Sequence, residues 1–597
     1  MKQLQFVGCL VALSMSVAVG CSSDDGATVK QVSFIGVKVP ETDTEKQVIL
    51  ASPKVTVNGK EYSIGFNTIM RTGDKPGDSA FAFGTIMDKN YQPIKESDGS
   101  SMLSNDNDFS SLLIGKTDGK LYMVSHFEKS PGAMYLTELS QEKATGKLTA
   151  VRTKPIDYSS FGGGWVHCAG SVTPWGTHLG SEEYEPDARK VNASGYLTKD
   201  GYGNTQALYF GLDPNGTADN YFKTGGLNAY NYGWQIEVTV KSYTEATAVK
   251  HYSMGRIAHE LAYVTPNRKT AYISDDGSNV GLFRYEAETA DNLTSGELFV
   301  AKWNQTSNTN GGTADISWIS LGKATDAEIK AYITQGITFA DIFDTATPDA
   351  STGACAAGFT AINANTDVSG NECLKVKDGM DKAASRLETR RYAAIKGGTT
   401  EFNKMEGITL DPDTKMLYIG MSVVDKGMLD NDSKYDKGGP NHIKLPKNSC
   451  GTVFGLTLDS NYVATKMAGV VSGTPKTYDA SSPYVSNTCD VDNISEPDNV
   501  TFIPGYKTLI IGEDTSRHQN DMIWSYNVET KALIRIQTTP LGSETTSPYF
   551  YPDINGWGYL MSVVQHPYGE SDQGKLPAAE AKRAYTGYIG PFPAMGR

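Results

Sequence analysis

Three stretches of this chain repeat one pattern in different residues: HELAYVTPNRKTAYISDD (259–276), MEGITLDPDTKMLYIGMS (405–422) and PDNVTFIPGYKTLIIGED (497–514). Each carries an acid at its second position, an alternating apolar segment, a proline six residues after the acid and a lysine three further on, then a β-run. Two-residue alternation on both sides of a Pro-X-X-Lys turn predicts a β-hairpin. A chain of 597 residues is too long for one ordinary core. Hairpins repeated around an axis solve that problem as a β-propeller, whose inner strands converge on a central channel.

Two looser copies extend the series. SETTSPYFYPDINGWGYLMSVVQHP sets Glu544 eight residues before Pro552, and HCAGSVTP sets Cys168 six residues before Pro174, where the other copies have an acid. After that second turn, Glu182 and Glu183 fall within one position of Asp275 and Asp276. The shared register gathers Cys168, Glu260, Glu406, Asp498 and Glu544 into one ring. Carboxylates so close cannot all stay ionised without cations between them. An oxygen-rich set suits Ca²⁺, and a thiolate among the oxygens suggests a second metal, iron or zinc.

The other cysteines fit export. MKQLQFVGCLVALSMSVAVGCSSDDG has a positive Lys2, an apolar run too short to span a bilayer comfortably, and small residues leading to Cys21. AVGC resembles a bacterial lipobox, so residues 1–20 are expected to be a lipoprotein signal, Cys21 the lipidated residue and 21–45 a tether. The protein is then exported, periplasmic or at the cell surface, touching membrane only through its anchor. Outside the cytoplasm thiols tend to pair. Cys355 with Cys373 and Cys450 with Cys489 are the candidate bridges, leaving Cys168 free and in need of a ligating role.

Composition supports a loop-rich, mainly β chain: 20% charged residues, 61 Gly and 32 Tyr. The net charge is −14 with no Lys/Arg-rich block, which excludes a nucleic-acid surface. One patch reads as helical. TDAEIKAYITQGITFADIF opens with a Thr325–Glu328 capping box, and DGMDKAASRLETRRYAAI follows, so about 322–400 is expected to be a helical insertion in a domain running from 46 to 597. NDNDFSSLL and LDNDSKYDKGG lack the full EF-hand spacing and read as solvated loops; GNTQALYFGLD reads as a loop too. No Gly-X-Ser-X-Gly, His-Glu-X-X-His or P-loop competes.

HCAGSVTPWGTHLGSEEYEP, MGRIAHELAYV, KMEGITLDP, SEPDNVTFIP, IIGEDTSRHQND, GSETT and VVQHPYGE together resemble the PhoX-type alkaline phosphatases, in order, over about 100–597. The resemblance implies a six-bladed propeller with a helical addition. It also implies an exported enzyme hydrolysing phosphate monoesters, often diesters, at alkaline pH with Ca²⁺ and Fe³⁺ and a metal-bound oxide or hydroxide as nucleophile. Carried over, Cys168 would ligate iron, and Glu260, Glu406 and Asp498 would bridge metals. Glu182, Glu183 and Glu544 would complete the cluster, with Asp275 and Glu513 as further candidates. Lys404 stands where the family often has Arg, a point charge in place of a bidentate grip. It is the leading cation for phosphate, followed by Arg256, with His566 as a donor to the leaving group. The chain also departs from the family at His167 and His178. The expected partner is a small phosphoester and the expected state a monomer. A Ca²⁺ propeller lactonase or phosphotriesterase, and a non-catalytic propeller held together by cations, are the alternatives.

Overall fold

The computed structural model describes residues 30–191, 201–214, 227–569 and 579–596. The export segment, Cys21 and the start of the tether lie outside the described residues. From Val32 the expected tether is already built into the fold: Val32–Phe34 pairs with Lys54–Val57 and buries Val32 and Phe34.

Six antiparallel blades surround an axis, among the described residues: three are separate four-stranded sheets, one is a five-stranded sheet that includes Leu50–Ala51, and two are joined through Thr313–Thr325 in a nine-stranded sheet. Their inner strands are Asn107–Ile114, Gly170–Val172, His259–Val264, Met405–Asp411, Pro497–Ile503 and Glu544–Ile554. Each inner strand packs against the next, and the sixth packs against the first, so the ring is closed. The sixth blade takes its outer strand, Gly65–Arg71, from the N-terminal part of the chain, which pairs with Tyr585–Pro593 near the C-terminus. Closure removes exposed sheet edges at the axis. The Pro-X-X-Lys elements are the turns between first and second strands, as the repeat predicts.

Ladder register breaks at the same place in five blades. The break falls after Asn107, His259, Met405, Pro497 and Thr546, leaving a two-residue bulge headed by Asp108, Glu260, Glu406, Asp498 and Ser547. Counting back from Gly170, the first paired residue of the second blade, puts Cys168 at the same position. A bulge re-aims one side chain out of the alternation, and here it aims six of them inward. Close approach is required at this level: a Cβ on Gly407 would meet the Asn499 Cα at 2.7 Å.

The insertion is mixed rather than helical. Strand Thr313–Thr325 runs up to it, and helices Asp326–Thr334, Phe339–Ile342, Asp381–Leu387 and Thr389–Ile395 surround a three-stranded sheet of Phe343–Ala346, Thr360–Asn363 and Asn371–Val376. The Thr325–Glu328 capping box is present. Cys355 is bonded to Cys373 and Cys450 to Cys489, and Cys168 is free and buried. Two loop expectations are overturned. NDNDFSSLL overlaps the first blade's inner strand, Asn107–Ile114, and GNTQALYFGLD overlaps helix Gly201–Tyr209.

Candidate metal centre

The bulge residues meet at one end of the channel, in a cavity of 530 Å³ that the side chains of Cys168, Glu260, Glu406 and Asp498 line. Three groupings bring ligand atoms within 4.8 Å of one another: Asp108, Glu128 and Cys168; Cys168, Glu183 and Glu260; and Glu260, Glu406 and Asp498. The Cys168 thiol donates to Glu260 Oε2 at 3.0 Å and to Asp108 Oδ2 at 3.4 Å. Asn499 donates to Glu260 Oε1 at 3.2 Å, and Ser547 donates to both Asp108 and Asn499.

A second ring comes from the second strand of each blade. Three residues past the partner of the first post-bulge residue stand Glu128, Glu183, Asp276, Ser422 and Asp514, and Val564 in the sixth blade. All of the acids among them line the cavity, as do Glu544 and His566, whose side chains lie 3.5 Å apart. Tyr184 donates to Asp276 Oδ2 at 2.8 Å, Gln565 to Glu128 at 3.0 Å and Ser422 to Glu406 at 2.7 Å.

Against these acids stands Lys404, 3.4 Å from Glu406 and 4.0 Å from Asp276. Its backbone is left-handed, with φ 50, and the same position two residues before the bulge is left-handed at Val166 and Glu496. The turn recurs in three of the six blades, and Lys404 uses it to enter the cavity.

Electrostatics follow from the crowding. Burial, then neighbouring carboxylates, push Glu183, Glu260, Asp498, Glu544 and Glu128 well above the usual carboxylate range. Glu406 rises to about 8 and Asp108 to about 6, burial being the largest cause in both. Burial and the nearby carboxylates likewise push the Cys168 thiol well up. Asp276 is the exception: burial raises it, but Lys404 with the Glu183 and Tyr184 hydrogen bonds outweighs burial and holds it low. Carboxylate oxygens in excess and one thiol form a donor set that fits hard cations, with a softer-tolerant ion at the sulfur.

Four expected site residues lie elsewhere. Glu182 turns away from the cavity into a fully buried pair with Lys250, at 2.7 Å, and accepts from the Gly233 and Trp234 amides. Asp275 is gripped by Arg390. Glu513 accepts from His518, the Trp524 indole and the Ser495 and Met522 amides. Each is the strand neighbour of a cavity residue, and successive strand residues point to opposite faces. Arg256 is the fourth: its guanidinium donates to the carbonyls of Tyr232, Pro186 and Ala229, away from the cavity. Glu544 lines the cavity but from three residues before the bulge, whose head in that blade is Ser547.

The sequence repeat missed Asp108, Glu128, Asp276 and Asp514. The first blade has no proline six residues after Asp108, so the hairpin signature was absent there. Asp276 and Asp514 sat one residue from the acids selected, and only the bulge register separates the pairs.

A closed six-bladed propeller that presents a thiol and a crowd of carboxylates to one axial cavity is a metal-binding propeller. Within that class, the family described as "Alkaline phosphatase PhoX" matches residues 109–567. The chain belongs to the PhoX alkaline phosphatase family and is a phosphatase. Pseudomonas fluorescens PhoX in complex with vanadate, a transition state analogue, superimposes with a TM-score of 0.60 at 17% identity, covering 94% of this chain and 98% of that one. A Trichoderma reesei enzyme of Carbohydrate-Active Enzymes Family AA12 aligns over 82% of this chain and 94% of its own at 9% identity, but with a TM-score of only 0.32. No curated protein matches the sequence.

Proposed function

We propose that this chain is an exported metallophosphatase that hydrolyses phosphate monoesters at alkaline pH, with diesters as a second substrate class, using Ca²⁺ and Fe³⁺. The observation that carries this reading is the thiol of Cys168 within ligand distance of two carboxylate groupings that share it. Cys168 with Asp108, Glu128 and Glu183 would hold iron, and Glu260, Glu406 and Asp498 would hold calcium. When bound, the ions supply charge neutralisation on the phosphate and activation of the attacking oxygen.

The chain's own groups do the rest. Lys404 sets an ammonium among the carboxylates of the cavity, where it attracts a phosphate oxygen as a point charge. Asp276 and Glu406 hold that ammonium in place and keep it protonated well beyond its ordinary range. His566, at the cavity wall beside Glu544, is positioned to give a proton to the leaving oxygen. Ligation requires deprotonated thiol and carboxylates, so metal uptake releases protons and is favoured as pH rises. The Cys21 lipobox supports attachment to a membrane through lipid and an exported location, and a monomer carries the complete cavity. The lactonase and binding-module alternatives gain no observation of their own.

The test is hydrolysis of an aryl phosphate at alkaline pH by the Ca²⁺-supplied protein, before and after chelation, and as Cys168→Ala. Loss of turnover under both treatments is expected. Turnover that survives Cys168→Ala makes the centre an all-oxygen Ca²⁺ site. No turnover with metals bound defeats the phosphomonoesterase reading.

A further inference from the structure

One guanidinium behind the cavity holds two carboxylates whose chain neighbours, Tyr184 and Asp276, line it. Arg390, on the inserted helix Thr389–Ile395, is 6% exposed in its side chain. Its Nε donates to Asp275 Oδ2 at 2.7 Å and its Nη2 to Asp275 Oδ1 at 2.8 Å. The same fork donates to Glu185, Nη1 to Oε1 at 2.8 Å and Nη2 to Oε2 at 3.2 Å. Asp275 precedes Asp276, and Glu185 follows Tyr184; across the cavity edge Tyr184 donates to Asp276. Arg390 thus ties the second and third blades together directly behind the pair that supports Lys404.

We propose that Arg390 is a positioning residue through which the insertion sets the geometry of the metal cavity. Burying a guanidinium between two carboxylates contributes little net stability, because desolvation offsets attraction. What a planar fork gives is fixed geometry, which a lysine cannot reproduce. Strand alternation carries the effect: with Asp275 clamped on the outer face, Asp276 has one way to point. The neighbouring Arg391 grips Asp187, Glu372 and Glu388, so the helix itself is anchored and does not follow Arg390 if that contact is lost.

This inference rests on the metal reading, so the readout is metal affinity as well as turnover. Ca²⁺ alone is titrated calorimetrically into the chelated wild-type protein and into Arg390→Lys, with melting temperatures recorded for both. Outer contacts that orient ligands are worth about 10–100-fold in metal affinity or activity. Arg390→Lys is expected to bind Ca²⁺ about that much more weakly while still melting cooperatively. A variant that melts lower yet binds Ca²⁺ as the wild type does overturns the proposal. If Arg390→Lys does not fold, Asp275→Asn, which weakens the Arg390 clamp while keeping the side chain's shape, decides: weakened Ca²⁺ binding supports the positioning role and unchanged binding overturns it. Wild-type protein that takes up no Ca²⁺ defeats the metal reading itself and this inference with it, an outcome distinct from equal binding by both proteins.

Discussion

Lys404 Nζ lies 3.4 Å from Glu406 Oε1, two residues along the same chain, and reaches it because the backbone at Lys404 turns left-handed with φ 50. Charge and backbone can therefore be separated. Lys404→Ala and Lys404→Gly should both lower kcat/KM by about 10²–10³-fold, the cost of one preorganised electrostatic contact. Glycine has no Cβ penalty at positive φ, so Lys404→Gly should be more stable than Lys404→Ala by about 1 kcal/mol. Denaturant melts with parallel kinetics check both. Equal activity in wild type and variants removes Lys404 from the phosphate site.

The metal-free cavity should be destabilised by alkali. Glu406 ionises at about 8 in the fold against an ordinary 4.5, burial being the main cause. The native state therefore holds a proton that the unfolded chain releases, and its stability falls as pH rises from 4.5 through about 8. Bound cations remove that cost. The melting-temperature gap between Ca²⁺-loaded and chelated protein should widen across this interval, and a gap independent of pH contradicts the carboxylate crowding.

A second pH effect arises far from the cavity. His251 ends the second blade and donates to Glu237 at 3.0 Å and to Asp326, the first residue of an inserted helix, at 3.2 Å. Burial lowers its pKa, but hydrogen bonds and attraction from Asp326 and Glu237 prevail and raise it to about 9. The sign is opposite to the usual carboxylate case: the contribution is full below 6.5 and lost as pH rises through about 9. His251→Gln should cost on the order of 3 kcal/mol near pH 6 and little above pH 10. A pH-independent difference would show that His251 is not charged in the fold.

Much of this was legible in the sequence, and the limits have a common cause. The Pro-X-X-Lys hairpins at Pro266, Pro412 and Pro504 gave the propeller because turn chemistry and two-residue alternation are local. The same register found Cys168, Glu260, Glu406 and Asp498. Asp108 escaped because its hairpin turns without the proline. Asp276 and Asp514 escaped because a bulge shifts alternation by one residue: the acid one position earlier turns to a buried partner instead, Asp275 to Arg390 from a distant part of the chain and Glu513 to His518 five residues on. The Asp187–Arg391 and Asp275–Arg390 pairs join residues 204 and 115 positions apart, beyond any local pattern.

Glu182 and Glu183 make that distinction measurable. Glu182 is fully buried against Lys250 with both oxygens engaged, whereas Glu183 lines the cavity beside Asp276 and lies within ligand reach of Cys168. Glu182→Gln leaves Lys250 as a buried ammonium without its counter-charge, a change worth about 3–5 kcal/mol of stability. Glu183→Gln removes one of several repelling carboxylates, so the chelated protein should melt at the same temperature or higher. Their metal responses should be reversed: Ca²⁺ should stabilise Glu182→Gln nearly as much as the wild type, and Glu183→Gln distinctly less. Melting each variant with chelator and with excess Ca²⁺ reads both quantities. If Glu182→Gln instead loses the Ca²⁺ response and Glu183→Gln keeps it, the bulge register assigned to the second blade is wrong, and with it the place of Cys168 in the ring.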